Sequence, residues 1–264
     1  MTEQAHMGAP VLEAENLSIQ FGGLKALQEL SFSIPEKTVF SIIGPNGAGK
    51  TTFFNIATGI YRPTGGDIRF YGESIVGLEP SRIVEKGICR TFQNIRLFQN
   101  LTVLENVMIG RQLHERTGLG DILLRTQRFR AQEAETLDRA AEILDYVGIL
   151  DDANALAKNL PYGRQRRLEI ARALATAPRL LLLDEPTAGM NPSESEEMVQ
   201  LFQRICEERG VCVLMIEHDM KVVMGVSQRI LVLNFGRQIA LGSPREVLEN
   251  EEVITAYLGH QKVM

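Results

Sequence analysis

A chain of 264 residues with 44% hydrophobic and 23% charged side chains can bury one large α/β core, and is too apolar for disorder. Its net charge of −5 offers no basic footprint for wrapping nucleic acid, so no nucleic-acid partner is expected. Residues 1–10 have neither the basic start nor the apolar stretch of a signal peptide, and no apolar run approaches the about 20 residues of a bilayer span.

In chain order, the run 11–21 reads as a strand, followed by a turn at Phe21-Gly22-Gly23 and a second strand at 30–34. Pro35-Glu36-Lys37 separates it from an apolar strand at 38–43, and a further strand is predicted at 67–71. These closely spaced early strands suggest a small antiparallel sheet laid against the core. From about 94 to 159 the texture turns helical. Residues 101–110 form a predicted helix with Thr102 as N-cap and Glu105 three residues on, the pattern of a capping box. Residues 131–147 form an amphipathic helix ended by Gly148, and the stretch 111–130 between the two is basic and broken by glycines. Strands at 180–183, 211–216, 229–234 and 238–241 follow, with helical patterns between the earlier ones, as in a mainly parallel sheet with crossover helices. Cys89, Cys206 and Cys212 have no metal-ligand spacing and cannot pair into a framework. They read as small buried hydrophobes in a reducing compartment.

Two segments carry chemistry. Gly44-Pro45-Asn46-Gly47-Ala48-Gly49-Lys50-Thr51 fits G-x-x-x-x-G-K-[ST], directly after a strand and opening a helical segment at 52–59. Glycines let successive N–H groups curl around phosphate oxygens, and the helix N-terminus adds partial positive charge. In that setting Lys50 bridges the β- and γ-phosphates, the Thr51 hydroxyl takes Mg²⁺, and Thr52 reaches the α-phosphate. The second segment is Leu180-Leu181-Leu182-Leu183-Asp184-Glu185, a buried strand releasing two carboxylates at its C-terminal end, where open α/β sheets bind ligands. After a phosphate loop, Asp184 is expected on Mg²⁺ and Glu185 as the base for the attacking water. No Asn-Lys-x-Asp guanine reader occurs, so a GTPase is disfavoured.

The remaining motifs identify a superfamily by their order around these two. Gln93, after Arg90-Thr91-Phe92, resembles the Q-loop of ABC ATPases, and His218, in Ile216-Glu217-His218-Asp219, resembles their switch histidine. Leu160-Pro161-Tyr162-Gly163-Arg164-Gln165 stands where their signature belongs, and Phe21 where an aromatic ring stacks on adenine. The resemblance covers nearly the whole chain. It implies an α/β P-loop NTPase, with a RecA-like core and antiparallel β subdomain (10–93 and 160–264) and an inserted α-helical subdomain (94–159). It also implies Mg²⁺ bound by Thr51, Gln93 and Asp184, and a head-to-tail dimer with two ATP molecules in its seam. The sequences Arg90-Thr91-Phe92-Gln93, Glu217-His218-Asp219-Met220 and Ala256-Tyr257-Leu258-Gly259 look like those of branched-chain amino acid importers, and the insert at 111–130 like the larger of their two ATPase subunits.

That likeness implies a peripheral subunit on the cytoplasmic face of the inner membrane. Its partners would be a second ATPase subunit (a heterodimer rather than a homodimer), two membrane-spanning permease subunits and, indirectly, a substrate-binding protein. Two rival readings are an exporter ATPase, such as one moving lipopolysaccharide, and a non-transport ABC ATPase; the second usually carries a coiled-coil insert or a fused second cassette. Two positions depart from the general pattern. Pro161 and Tyr162 replace the signature's serine and first glycine, removing a hydrogen bond to a charged group of about 1.5–3 kcal/mol. Asn191 stands where an Asp is common. A subfamily habit explains both; so does an asymmetric dimer whose partner supplies the better signature. The basic insert (Arg96, Arg111, Arg116, Arg125, Arg128, Arg130) is either a solvated face or a surface for the cytoplasmic loops or anionic lipid of a transporter.

Overall fold

A computed structural model describes residues 10–114, 121 and 124–258. Its contacts divide the chain into two compact units, one made of 1–88 with 179–264 and the other of 89–178.

In the first unit, β1 (Pro10–Phe21) and β2 (Leu24–Pro35) form a long antiparallel hairpin, with Phe21 opposite Leu24. Inward positions such as Leu12, Leu17, Leu30 and Ile34 are fully buried, and outward ones are polar, the alternation of a half-buried sheet. The first half of β2, Leu24-Lys25-Ala26-Leu27-Gln28-Glu29, has weak strand propensity. It is extended because pairing with β1 outweighs local preference, so the strand starts six residues before the predicted 30–34. The core strand β3 (Val39–Ile43) leads into α1 (Lys50–Ala57). The chain then returns to the small sheet as β4 (Gly65–Phe70) and β5 (Glu73–Ser74), giving the order β2-β1-β4-β5. Helix α2 (Pro80–Lys86) and strand β6 (Ile88–Arg90) bring the chain to the second unit.

The second unit is helical. Helix α3 (Val103–Arg111) carries the predicted capping box, with Thr102 and Glu105 hydrogen-bonded reciprocally. Helix α4 (Gln127–Tyr146) starts four residues earlier than its apolar pattern suggests, because Thr126 caps it by accepting from the Phe129 amide. Helix α5 (Tyr162–Ala175) packs on both. Arg116 lies outside the described residues, while Arg111 pairs with Glu135.

Back in the first unit, β7 (Leu180–Asp184), α6 (Pro192–Arg209), β8 (Cys212–Ile216), α7 (Met220–Val226), β9 (Arg229–Asn234) and β10 (Arg237–Gly242) precede α8 (Pro244–Leu248) and α9 (Glu251–Leu258). The large sheet runs β10-β9-β3-β8-β7-β6, with β3 parallel to β8 and β9, and β7 parallel to β8. β3, β7 and β8 are buried at every position, as expected of a parallel sheet covered on both faces. Cys206 and Cys212 are buried, and burial pushes the Cys212 thiol up to about 12, so both act as apolar packing. Among the described residues, no helix is long and apolar enough to cross a membrane.

Candidate active site

The C-terminal ends of β3, β7 and β8 lie side by side, and the loops that leave them carry the predicted chemistry. After β3, the loop 44–49 turns through three glycines with positive φ: Gly44 (149°), Gly47 (79°) and Gly49 (105°). They are required for different reasons. A Cβ on Gly44 would lie 2.1 Å from the Leu233 carbonyl oxygen, and one on Gly49 2.6 Å from that of Ala26, so these two permit close backbone packing. A Cβ on Gly47 would meet nothing within 4 Å, which leaves that side of the loop open to a ligand. The amides of Lys50, Thr51 and Thr52, in the first turn of α1, have no acceptor within the helix, and this is a ready anion cradle. Lys50 is buried, and its Nζ donates to the carbonyl oxygens of Gly44 (2.6 Å) and Pro45 (2.9 Å). Desolvation lowers its pKa, opposed by the negative charges of Glu185 and Asp184. The three groups share one electrostatic environment.

Asp184 ends β7 and is buried, opposite Ile216 of β8. Glu185 follows with φ 48°, a left-handed conformation that costs a non-glycine residue on the order of 1 kcal/mol. Its amide donates to the Ile216 carbonyl at 2.9 Å, which holds the turn in place. The turn directs the Glu185 carboxylate at the loop after β8, where Oε1 lies 2.9 Å from His218 Nε2. The His218 and Glu185 side chains are 43% and 21% exposed, so water reaches the pair. Phe21, at the tip of the β1–β2 hairpin, is exposed and meets the Tyr61 ring edge-on at 5.2 Å. An exposed aromatic face suits a heterocyclic base.

Gln93 and the segment 160–165 belong to the second unit. Pro161 is the N-cap of α5 and supplies no side-chain cap. Gln165 donates from Nε2 to the Leu160 carbonyl and from its amide to the Pro161 carbonyl. Arg166 is fully buried and paired with buried Glu169 at 2.8 Å. Its guanidinium also donates to the carbonyl oxygens of Phe92 (2.9 Å) and Gln93 (3.0 Å), and Glu169 accepts from the Phe92 amide. The backbone at Gln93 is thus tied to the helix that follows 160–161. Asn191 is the N-cap of α6, in a capping box with Glu194. At that position Asn and Asp are equivalent, so this departure from the common pattern leaves the cap intact.

Sequence reasoning missed five residues here. Arg166 and Glu169 lie at an i, i+3 spacing that fits a pair, the one local signal that could have found them. Glu217 is buried and accepts from the Thr187 amide and hydroxyl and from the His218 amide. Its only sequence signal was a carboxylate directly after a fully apolar strand. Tyr257 on α9 is hydrogen-bonded to the backbone of Gly44 and packs near Ile43, and burial pushes its hydroxyl up to about 12. Tyr61, beside Phe21, carried no sequence signal.

A phosphate loop, a strand-end Asp-Glu and a histidine just after the neighbouring strand define the site of a P-loop nucleotide hydrolase. The sequence matches the ABC transporter family over residues 27–188, and the chain belongs to that family as one of its ATP-hydrolysing subunits. Within it, residues 237–263 match the branched-chain amino acid ATP-binding cassette transporter family. The high-affinity branched-chain amino acid transport ATP-binding protein LivG of Salmonella typhimurium is 47% identical over 253 residues, 96% of this chain and 99% of its own. Two solved structures share the fold. The ADP conformation of MJ1267, an ATP-binding cassette of an ABC transporter, is 31% identical with a TM-score of 0.83, covering 95% of this chain and 99% of that one. The dimeric post-hydrolysis state of the cassette MJ0796, bound to ADP and Pi, is 28% identical with a TM-score of 0.74, covering 89% and 99%.

Proposed function

We propose that this chain hydrolyses Mg²⁺-ATP to drive import of branched-chain or similar hydrophobic amino acids through membrane-spanning partners. The observation that carries the chemistry is the 2.9 Å contact between His218 and Glu185, formed beside a buried Lys50 that feels both strand-end carboxylates. The import reading rests on likeness to LivG.

The roles follow from position. Lys50 and the first-turn amides of α1 hold the β- and γ-phosphates, and Phe21 takes the adenine ring. Glu185 accepts the proton of the attacking water as that oxygen bonds to the γ-phosphorus and the bond to the β-phosphate oxygen breaks. A positioned base of this kind contributes about 10²–10⁴-fold. His218 orients Glu185 and adds a donor toward the γ-phosphate. The donor set fits Mg²⁺. Among the described residues no cluster of three or more His, Cys, Asp or Glu side chains could cage a metal, and Mg²⁺ asks only one or two protein oxygens besides substrate phosphates. Asp184 and the Thr51 hydroxyl would supply them. When bound, the ion neutralises charge developing on the phosphates.

The segment 160–165 is proposed to face a nucleotide held by a second, different ATPase subunit, in a dimer like that formed by MJ0796. A cavity of about 620 Å³ in the second unit supports docking of a permease at the cytoplasmic face of the membrane. It is lined by Phe92, Leu97, Phe98, Ile109, Leu113 and Arg172, with Phe98 and Leu113 half exposed, a surface suited to an amphipathic helix. Gentle extraction of the tagged chain from its native membranes tests the assignment. Recovery of a different ATPase with two multi-spanning proteins supports it. Recovery of copies of this chain alone with an export-type permease overturns it.

A further inference from the structure

We propose that Glu217 is a positioning residue that locks the loop after Glu185 to the loop carrying His218, setting the geometry in which the two meet. The inference rests on the roles proposed above for Glu185 and His218. Glu217 is 3% exposed, at the end of β8. Oε1 accepts from the Thr187 amide at 2.9 Å and from the Thr187 hydroxyl at 2.6 Å, and Oε2 accepts from the His218 amide at 3.0 Å. Together with the His218–Glu185 contact, these bonds close a ring through Glu185, Pro186, Thr187, Glu217 and His218. The Glu185 amide bond to the Ile216 carbonyl braces it from inside.

The chemistry of the ring demands a carboxylate. Three donors converge on two oxygens, and an ionised carboxyl accepts only, so every bond is satisfied. A glutamine offers one oxygen and one NH₂. Whichever end faces Thr187, a donor meets a donor, either there or at the His218 amide. The ring also holds Glu185 at φ 48°, a conformation the residue does not choose alone. Loosening Thr187 or the His218 backbone therefore moves the base and its partner apart. The phosphate loop, packed closely against the backbone of Leu233 and Ala26 on other strands, touches none of these bonds and is left in place.

The test uses the full-length chain, with steady-state ATP hydrolysis and titration of a fluorescent ATP analogue run in parallel on Glu217→Gln, Thr187→Val, Thr187→Ser and Glu185→Gln. Glu217→Gln is expected to lower kcat about 10- to 100-fold, equivalent to about 1.4–2.7 kcal/mol of barrier, with Kd for the analogue within about twofold of wild type. Thr187→Val, which removes only the hydroxyl donor, lowers kcat about three- to tenfold, and Thr187→Ser restores it. A wild-type kcat in Glu217→Gln overturns the inference, as does a loss of affinity matching the loss of kcat, because a merely structural residue would move both. Should Glu217→Gln fail to fold, the Thr187 pair decides: wild-type rates in both contradict the ring, and a Val defect reversed by Ser supports it. Glu185→Gln separates the two levels. If it abolishes turnover while Glu217→Gln does not affect it, only the positioning role fails; if Glu185→Gln itself turns over, the underlying assignment fails.

Discussion

Removing the Arg166 side chain should cost more than any contact at the protein surface. In Arg166→Ala, buried Glu169 keeps its charge and loses its cation at 2.8 Å, and the Phe92 and Gln93 carbonyls lose their donors. Breaking a buried pair from one side costs about 3–5 kcal/mol, a large part of the about 5–15 kcal/mol of a typical domain. Both partners are essentially unexposed, at 0% and 2%, so solvent screening does not reduce that figure. Glu169→Ala should cost a similar amount, because it strands the guanidinium and frees the Phe92 amide. The double variant leaves no uncompensated charge, so it should cost less than the sum of the singles by about 2–3 kcal/mol. Urea unfolding followed by far-UV circular dichroism measures all three. Additivity of the two single effects within about 0.5 kcal/mol would refute the reasoning, since it would mean that the charges do not depend on each other.

Other expectations are as direct. Lys50→Ala should weaken binding of a fluorescent ATP analogue about 10- to 100-fold, the loss of charge-assisted bonds to phosphate, and an unchanged Kd would remove Lys50 from the site. The capping-box carboxylates Glu105 and Glu246 have pKa values lowered from 4.5 by hydrogen bonds from their capping residues, backbone bonds first. Their folded pKa lies below the unfolded one, so their contribution is complete above pH 4.5 and lost as pH falls through the lower folded values. Melting temperatures measured down this range should fall less steeply in Glu105→Gln with Glu246→Gln; an unchanged slope would contradict the assignment.

The parallel core was legible because fully apolar runs such as residues 180–183 and Cys212–Ile216 have one reading once a phosphate loop fixes the fold. Lys50 was expected from the phosphate-loop pattern, and Asp184 and Glu185 from a strand end where open α/β sheets bind ligands, whereas His218 was expected only through the resemblance to ABC ATPases. Local caps were also written plainly, as at Thr102 and Glu105. Tertiary pairing was not. The weak strand propensity of residues 24–29 is overridden by β1, and no local pattern announces that. Buried polar partners were the hardest to see. Glu217 and Arg166 look like surface charges until their acceptors and donors, many residues away in sequence, are assembled around them. Asn191 shows the opposite case. It looked like a lost acid in a functional loop, and in the fold it is a competent helix cap.

The central claim is that Glu185, set against His218, activates the water that hydrolyses ATP. Phosphate release by the purified full-length chain, wild type against Glu185→Gln, tests it most directly, with ATP affinity measured on the same samples. The account predicts that Glu185→Gln binds ATP with a Kd within about threefold of wild type and loses at least about 100-fold in turnover, the lower bound for a positioned base. Turnover by Glu185→Gln within about threefold of wild type would contradict it, because a change of that size is far below what a lost general base costs.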